Sequence, residues 1–529
     1  MIKKIIKKIN LESDIKLISP IDEIKISLNG EKLYDIINKY KTNDKIEKYI
    51  KQLLCSKESI IMDLFSDNYF NNSLSNIYFI IGNPYSIDTK IFDIIYKNRE
   101  IISKIPHILI DIYDIIINNK PYDQISKNTQ SKLYLYYNYD IIKKWYKIIV
   151  LNKLKKNDYY KISKLSENKK DIKWEKYNEL WTIYNDACII FKKYLKKVLK
   201  FYKPFKHNIV GCSIYGKKYY EYSLESYLGI NLNINKLEKW AYNELEKLKE
   251  QMKFYIKLSN INVDNLDYKS MLKKIFNDES QKFKNKQELI DTYKNTIKKY
   301  EHIFINILDF PQYEKSNLVI FDNEQLGGGY YYLNNFYLNV NDWVNIRKYT
   351  TESLVLHETI PGHHTQVHTM LNKTNKYSLL FGYFGISCTG FIEGWGLFSE
   401  QLGFNQTIWD KIGQLEYDIF RTLRIIVDID LHYHGKTIKS MINFMKNNLT
   451  MSEKTIKTEV YRYVCQPGQA VAYKVGSHIF KKILEKNNIY NLTDQKAIKL
   501  YKNFILNGPK PLKFICEDYG IKENELFNI

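Results

Sequence analysis

A proline and a glycine stand in the middle of the densest histidine cluster of this chain, and they decide what that stretch can fold into. Residues 357–364 read His357-Glu358-Thr359-Ile360-Pro361-Gly362-His363-His364, and Gln366 and His368 follow, so four of the ten histidines fall within twelve residues. A helix is expected to start at Thr350 or Thr351, with Glu352 in its first turn, and to run through Leu354, Val355 and Leu356 to His357. It must kink or break at Pro361, whose ring removes an N–H donor and crowds the carbonyl of residue 357, and Gly362 then permits an unusual turn. Neutral imidazoles beside a carboxylate supply the ligands and the general base of a catalytic zinc site. Residues four apart share a helix face, but the fourth position after His357 is Pro361. At roughly 100° per residue an ideal helix nearly aligns His364 with His357 and turns His363 away, whereas a distorted Pro-Gly turn could bring His363 round instead.

The surroundings of this stretch depart from the rest of the chain. Of 80 basic residues only five are arginine (Arg99, Arg347, Arg421, Arg424 and Arg462), and four of these lie in residues 327–476 together with 14 of the 21 glycines. In a chain that otherwise favours Lys and uses Gly sparingly, this is where close backbone approach and planar charge recognition are expected. Residues 1–316 hold only five glycines and read as successive amphipathic helices over Glu31–Cys55, Asp93–Asn118, Ser131–Leu154, Trp174–Lys203, Ile234–Leu258 and Lys284–Ile307. Trp174, Trp181 and Tyr184 read as packing. The Tyr-rich run Gly327–Val340 is the best strand candidate. Its three glycines are no phosphate loop, because no Lys-Ser/Thr follows them. The expected organisation is an N-terminal helical region, 1–316, and a catalytic region, 317–529, forming one continuous domain around a cleft.

The formal net charge is +21, but the lysines are spread along the chain beside Glu, Asp and Asn rather than clustered. They read as solvated faces: weak polyanion binding is expected, and specific nucleic-acid recognition is not. The six cysteines are far apart with no C-x-x-C pair, which argues against a thiolate metal site or a disulfide framework and fits a reducing, cytoplasmic location. No apolar run reaches bilayer length, and the basic start Met1–Ile9 lacks the apolar core and cleavage site of a signal peptide.

The pattern H-E-x-x-P-G-H-H-x-Q resembles the domain-of-unknown-function family numbered 885, which is grouped with the glutamate-ligand zincins (gluzincins). The matching residues are His357, Glu358, Pro361, Gly362, His363, His364 and Gln366, then the stretch Gly390–Glu400 with Glu393 and Trp395. Arg421, Arg424, Asp428 and His432 follow, and later Tyr461–Tyr463 and Pro467–Gly476. The strong matches cover about residues 325–480. The resemblance implies a mostly α, large helical zincin-like fold with a small β-sheet beside the motif helix. It also implies His363 rather than His364 as the second zinc ligand after His357. Glu393, on a separate helix flanked by Gly390, Gly394 and Gly396, is then the third ligand, and the glycines would let that helix pack closely on the motif helix. Glu358 is the general base.

The supporting shell is expected from Ile408–His434, a long helix ended by Gly435. Arg421, Arg424, Asp428 and His432 share one of its faces. Asp428 could orient a zinc-bound imidazole, and His432 could bind the substrate or polarise its carbonyl; an exposed Arg424–Asp428 pair is the alternative. Tyr473, inside a helix over Gln469–Leu484, is the first choice of donor to a developing oxyanion, ahead of Arg462 and His432, with core packing as its alternative. The Tyr330–Asn339 strand could pair with an extended peptide, and one of Arg421, Arg424 and Arg462 could hold a substrate carboxylate. The activity expected is zinc-dependent hydrolysis of peptide bonds, on short peptides. A zinc amidohydrolase acting on a non-peptide amide is one alternative. A basic binding or packaging protein with a structural or vestigial metal site is the other, though such a site has no use for Glu358.

Overall fold

The structure, a computed structural model, describes residues 41–54 apart from 42, parts of 92–107, residues 174–202, and 217–527 with gaps at 309–314, 323–327, 333, 373–387, 405 and 492–493. The chain divides into two compact units, Met1–Ile214 and Tyr215–Ile529.

Of the first unit, α1 (Lys45–Leu54), a helical turn at Arg99–Ile102 and α2 (Trp174–Tyr202) are described. The helices expected over Ser131–Leu154, and the outer parts of those over Glu31–Cys55 and Asp93–Asn118, fall outside the described residues. Two of the three aromatic residues expected to pack do so: Trp181 and Tyr184 are buried, and the Tyr177 and Trp181 rings stack at 6.3 Å; the side chain of Trp174 lies outside the described residues. Glu179 of α2 accepts hydrogen bonds from the Tyr96 hydroxyl and from Arg99 Nε.

The second unit is mostly helical. It opens with α3 (Lys217–Leu228), α4 (Ile234–Leu258), α5 (Tyr268–Asn277) and α6 (Lys286–Leu308). The helical spacing of Leu237, Trp240, Ala241, Leu245 and Leu248 becomes the buried stripe of α4. A small sheet follows: β1 (Asn317–Phe321), β2 (Gly329–Tyr332) and β3 (Asn335–Asn339). The run that reads as one strand is therefore a hairpin, turned at Asn334, whose φ of 62° is one that asparagine tolerates. Its β3 pairs antiparallel with β2 and parallel with β1, in the order β1-β3-β2.

Next come α7 (Thr351–Glu358), α8 (His363–Asn372), α9 (Thr389–Ser399), α10 (Ile408–His432), α11 (Ile438–Lys446), α12 (Glu453–Cys465), α13 (Ala472–Lys486), α14 (Gln495–Asn507) and α15 (Leu512–Asp518). The long α10 starts at a capping box between Thr407 and Asp410 and runs through the centre of the unit, almost wholly buried. It packs on α4, α7, α12 and α13. Lys474 of α13 locks three helices together: its buried ammonium lies 2.5 Å from Asp418 of α10 and 2.9 Å from Glu244 of α4. Helices α4 and α6, grouped on sequence with residues 1–316, belong to this unit, where α6 packs on α7. A division at 316 therefore falls inside the second unit.

Candidate metal centre

The motif helix ends where Pro361 requires. After Glu358 the chain leaves the helix at Thr359, makes a cis bond between Ile360 and Pro361, and re-enters helix at His363. Gly362 crosses so close to the end of α7 that a Cβ there would stand 2.0 Å from the His357 carbonyl oxygen, a space only glycine can occupy. His363 thus begins a new helix, and the ideal-helix phase that favours His364 does not apply.

The break frees backbone carbonyls, and α9 supplies their partners. Trp395 Nε1 donates to the Pro361 carbonyl at 2.7 Å, and Ser399 Oγ donates to the Leu356 carbonyl at 2.8 Å. Only one of the three glycines around Glu393 serves the motif helix. A Cβ on Gly396 would meet His357 and His363, whereas one on Gly390 would meet Leu512 of α15 and Leu228 of α3, and one on Gly394 the backbone of Gly476 of α13.

Three donor atoms converge. Glu393 Oε2 lies 3.7 Å from His357 Nε2 and 3.3 Å from His363 Nε2, and the ligand atoms of the trio all lie within 4.8 Å of one another. Donors bound tetrahedrally to one zinc stand about 3.3 Å apart, so the cluster is close to what that ion requires. The far side of each imidazole is also occupied. His357 Nδ1 is 2.8 Å from Glu400 Oε1, and His363 Nδ1 is 3.2 Å from Gln366 Oε1. Acceptors on both Nδ1 atoms put the protons there and leave the Nε2 lone pairs facing Glu393, the tautomers a metal needs.

Electrostatics agree with a cation at this point. Burial works against charging His357, but the neighbouring carboxylates of Glu393 and Glu400 outweigh it and lift the imidazole to about 9. Burial would raise Glu393, yet the two imidazoles hold its carboxyl far below the usual carboxylate range. The neighbouring Glu358 is buried; burial pushes its carboxyl up, and its Oε2 has no hydrogen-bond partner among the described residues. A second group, Glu238, Asp430 and His434, also brings ligand atoms together, but the ammonium of Lys436 already sits 2.9 Å from Asp430.

The trio and Glu358 open onto a cavity of about 580 Å³, which Tyr330, Tyr473, Arg421, Arg424 and Arg462 also line. The Tyr473 ring stacks at 6.3 Å over His357, from the first turn of α13. Arg462 lines the cavity while bonding Gln469 and Glu459.

Other sequence expectations fall elsewhere. His364 turns away from the trio and contacts the Tyr331 hydroxyl at 3.1 Å, and His368 lies beside it. His432, expected at the substrate, is buried outside the cavity lining: its Nε2 pairs with the Tyr463 carbonyl, and its ring stacks on Tyr220. Asp428 orients no zinc-ligand imidazole; it accepts from the Tyr220 hydroxyl and the Gly468 amide. Arg424 pairs with Glu459, not Asp428. Glu400, rather than Asp428, is the carboxylate that meets the His357 ring. It follows Glu393 by seven residues, two helical turns, so it falls on the same side of α9.

The profile of the family described as "Bacterial protein of unknown function (DUF885)" matches residues 140–516. No curated protein matches the sequence. Two solved structures are similar in fold. One is described as "the putative lipoprotein from Colwellia psychrerythraea", with a TM-score of 0.70 and 16% identity, over 96% of this chain and 92% of that one. The other is "a putative lipoprotein of unknown function from Shewanella oneidensis", with a TM-score of 0.57 and 13% identity, over 98% and 97%. Among the described residues no helix is long and apolar enough to cross a membrane.

Proposed function

This chain belongs to the DUF885 family, and we propose that it is a zinc-dependent hydrolase of peptide bonds, acting on short peptides, with a zincin-like fold of the glutamate-ligand type. One observation carries the reading: the buried carboxylate of Glu358, with an oxygen lacking any partner among the described residues, adjoins two imidazoles and a carboxylate whose donor atoms converge on one point of a cavity. A metal held only for architecture has no use for that extra carboxylate.

Zinc, when bound by His357, His363 and Glu393, supplies Lewis acidity toward a carbonyl oxygen and makes water acidic enough to serve as nucleophile near neutral pH. Glu358 accepts the proton from the attacking water and returns it to the leaving amine nitrogen. Burial, by raising this carboxyl, makes it a stronger base for that transfer. Glu400 and Gln366 keep both imidazoles in the required tautomer. Tyr473 and Arg462 line the cavity with donors suited to a developing oxyanion. Strand β2 is at the edge of the sheet, and its residues 329–331 line the same cavity, so an extended peptide can pair along it. We also place the protein in a reducing cytoplasm, since Cys188, Cys388 and Cys516 are free and buried.

Elemental analysis should find about one zinc per chain. Glu358→Gln should keep that zinc and abolish turnover of a peptide library. A protein that takes up no zinc, or a Glu358→Gln variant as active as wild type, overturns the reading.

A further inference from the structure

Four of the five arginines line the cavity that contains the metal ligands. Arg347 is committed to backbone, donating to the carbonyls of Phe276, Val344 and Ile346. Arg462 is committed to Gln469 and Glu459. Arg421 and Arg424 differ: each is only 5% exposed, yet among the described residues Arg421 Nε and Nη1 have no hydrogen-bond partner, and Arg424, which donates Nε to the Tyr463 hydroxyl and Nη2 to Glu459, has none for Nη1. Their carboxylates are shared. Glu459 serves both Arg424 and Arg462. Glu400, 3.7 Å from Arg421 Nη2, is already bonded to His357. A buried guanidinium with unused donors and no carboxylate of its own is costly. In a chain that otherwise uses Lys, arginine at these positions points to planar, two-pronged recognition of an anion.

We propose that Arg421 and Arg424 bind a carboxylate of the substrate. This inference rests on the hydrolase reading and adds a substrate class to it: short peptides or amides carrying a carboxylate near the scissile bond. The Arg424 guanidinium lies 4.5 Å and that of Arg421 6.0 Å from the centre of the Tyr473 ring, which is 6.3 Å from that of His357. Laid end to end, the shorter of these contacts put Arg424 within about 11 Å of the His357 ring, the span of roughly three extended residues. The carboxylate therefore belongs to one of the first few residues beside the cleaved bond, as a free C-terminus or as an Asp or Glu side chain.

The test uses N-acetyl dipeptides in three forms: free acid, C-terminal amide, and amides ending in Asp or Glu. Zinc-loaded wild type should cleave a carboxylate-bearing form with kcat/KM roughly 30-fold or more above the plain amide, and Arg421→Gln or Arg424→Gln should erase most of that advantage. Preference for the free acid alone assigns the C-terminus; preference shared by the acidic amides assigns the side chain. Calorimetric titration of zinc-loaded Glu358→Gln with the same peptides reads binding without turnover, and adding Arg421→Gln should abolish the difference between forms. Arg421→Lys, which keeps the charge and loses the fork, replaces the glutamine variant if that one does not fold, and should lose most of the preference. Equal handling of all forms in both assays overturns the carboxylate site and leaves the hydrolase reading standing. Carboxylate-dependent binding without turnover by wild type overturns the hydrolase reading and leaves the site.

Discussion

Replacing Gly396 with alanine should abolish the proposed zinc binding while leaving most of the fold. A Cβ at this position would lie 2.8 Å from His357 Cε1, 2.9 Å from His357 Nε2 and 3.0 Å from His363 Cε1. Carbon atoms rest about 3.5–4.0 Å apart, so the imidazoles must retreat by roughly 0.5–1 Å. Neither ring is free to swing elsewhere, because His357 is tied to Glu400, itself 1% exposed, and His363 is tied to Gln366. Metal–ligand distances tolerate shifts of only about 0.2 Å, so the retreat takes two of three ligands out of range. Zinc affinity should fall by roughly 100-fold or more, about 2.7 kcal/mol. The overpacking itself costs about 1–3 kcal/mol of stability, partly offset by the better helix propensity of alanine.

Competition against a chromophoric chelator measures the affinity, and thermal unfolding of the zinc-free protein measures the fold. Gly394→Ala is the matched control. Its Cβ would meet the backbone of Gly476, 2.4 Å from that Cα, rather than an imidazole, so its main effect should be on stability. Gly396→Ala with zinc affinity within about threefold of wild type would refute the placement of the site between α7, α8 and α9.

Glu400→Ala should weaken zinc about 10–100-fold by freeing the His357 ring, read by the same chelator competition; unchanged affinity would mean the Nδ1 contact does not orient the ligand. Asp428 is pushed up to about 7 by burial, against the opposing bonds from Tyr220 and Gly468. A carboxyl raised in the folded state favours folding below its unfolded value near 4, and that contribution is lost as pH rises toward 7, in all about 4 kcal/mol. Chemical unfolding at pH 4.5 and 7.5 should therefore show Asp428→Asn gaining on wild type at the higher pH, and a gap that does not change with pH contradicts this. Thr407→Ala removes the capping box of α10 and should lower unfolding stability by about 1 kcal/mol; no change in the denaturant midpoint would mean the cap contributes nothing.

Local pattern made some elements readable and left others hidden. Helix α4 has the bounds expected of it, because its apolar stripe carries the helical period and packs on α10. Strand β1 went unseen, since Asn317–Phe321 owes its pairing to β3, eighteen residues on in register. The hairpin turn was hidden inside a Tyr-rich run that reads as one strand, although Asn334-Asn335 carried the turn chemistry. On α10, shared spacing correctly put Asp428 and His432 on one face. Which neighbours meet that face is decided by Tyr220, from α3, and by Tyr463 and Gly468, from the far side of α10 in the chain. Spacing along a helix says which side chains travel together and nothing about what they meet.

The metal cluster was more legible than the polar groups around it for a related reason. An unbroken helix would offer a second ligand four residues after His357, and the proline there forbids it. The break puts His363, the proposed second ligand, at the head of a second helix, but it also strips partners from the carbonyls at the joint. Helix α9 brings both remedies at once: Trp395 and Ser399 satisfy the carbonyls of Pro361 and Leu356, while Glu393 and Glu400 face the imidazoles. Pro361 and the Glu393–Glu400 stretch therefore work as one device. Trp395→Phe, which keeps the packing and loses only the bond to the Pro361 carbonyl, should loosen the His363 turn and with it the zinc, without touching a ligand. A zinc affinity equal to wild type would separate the break from the helix that repairs it.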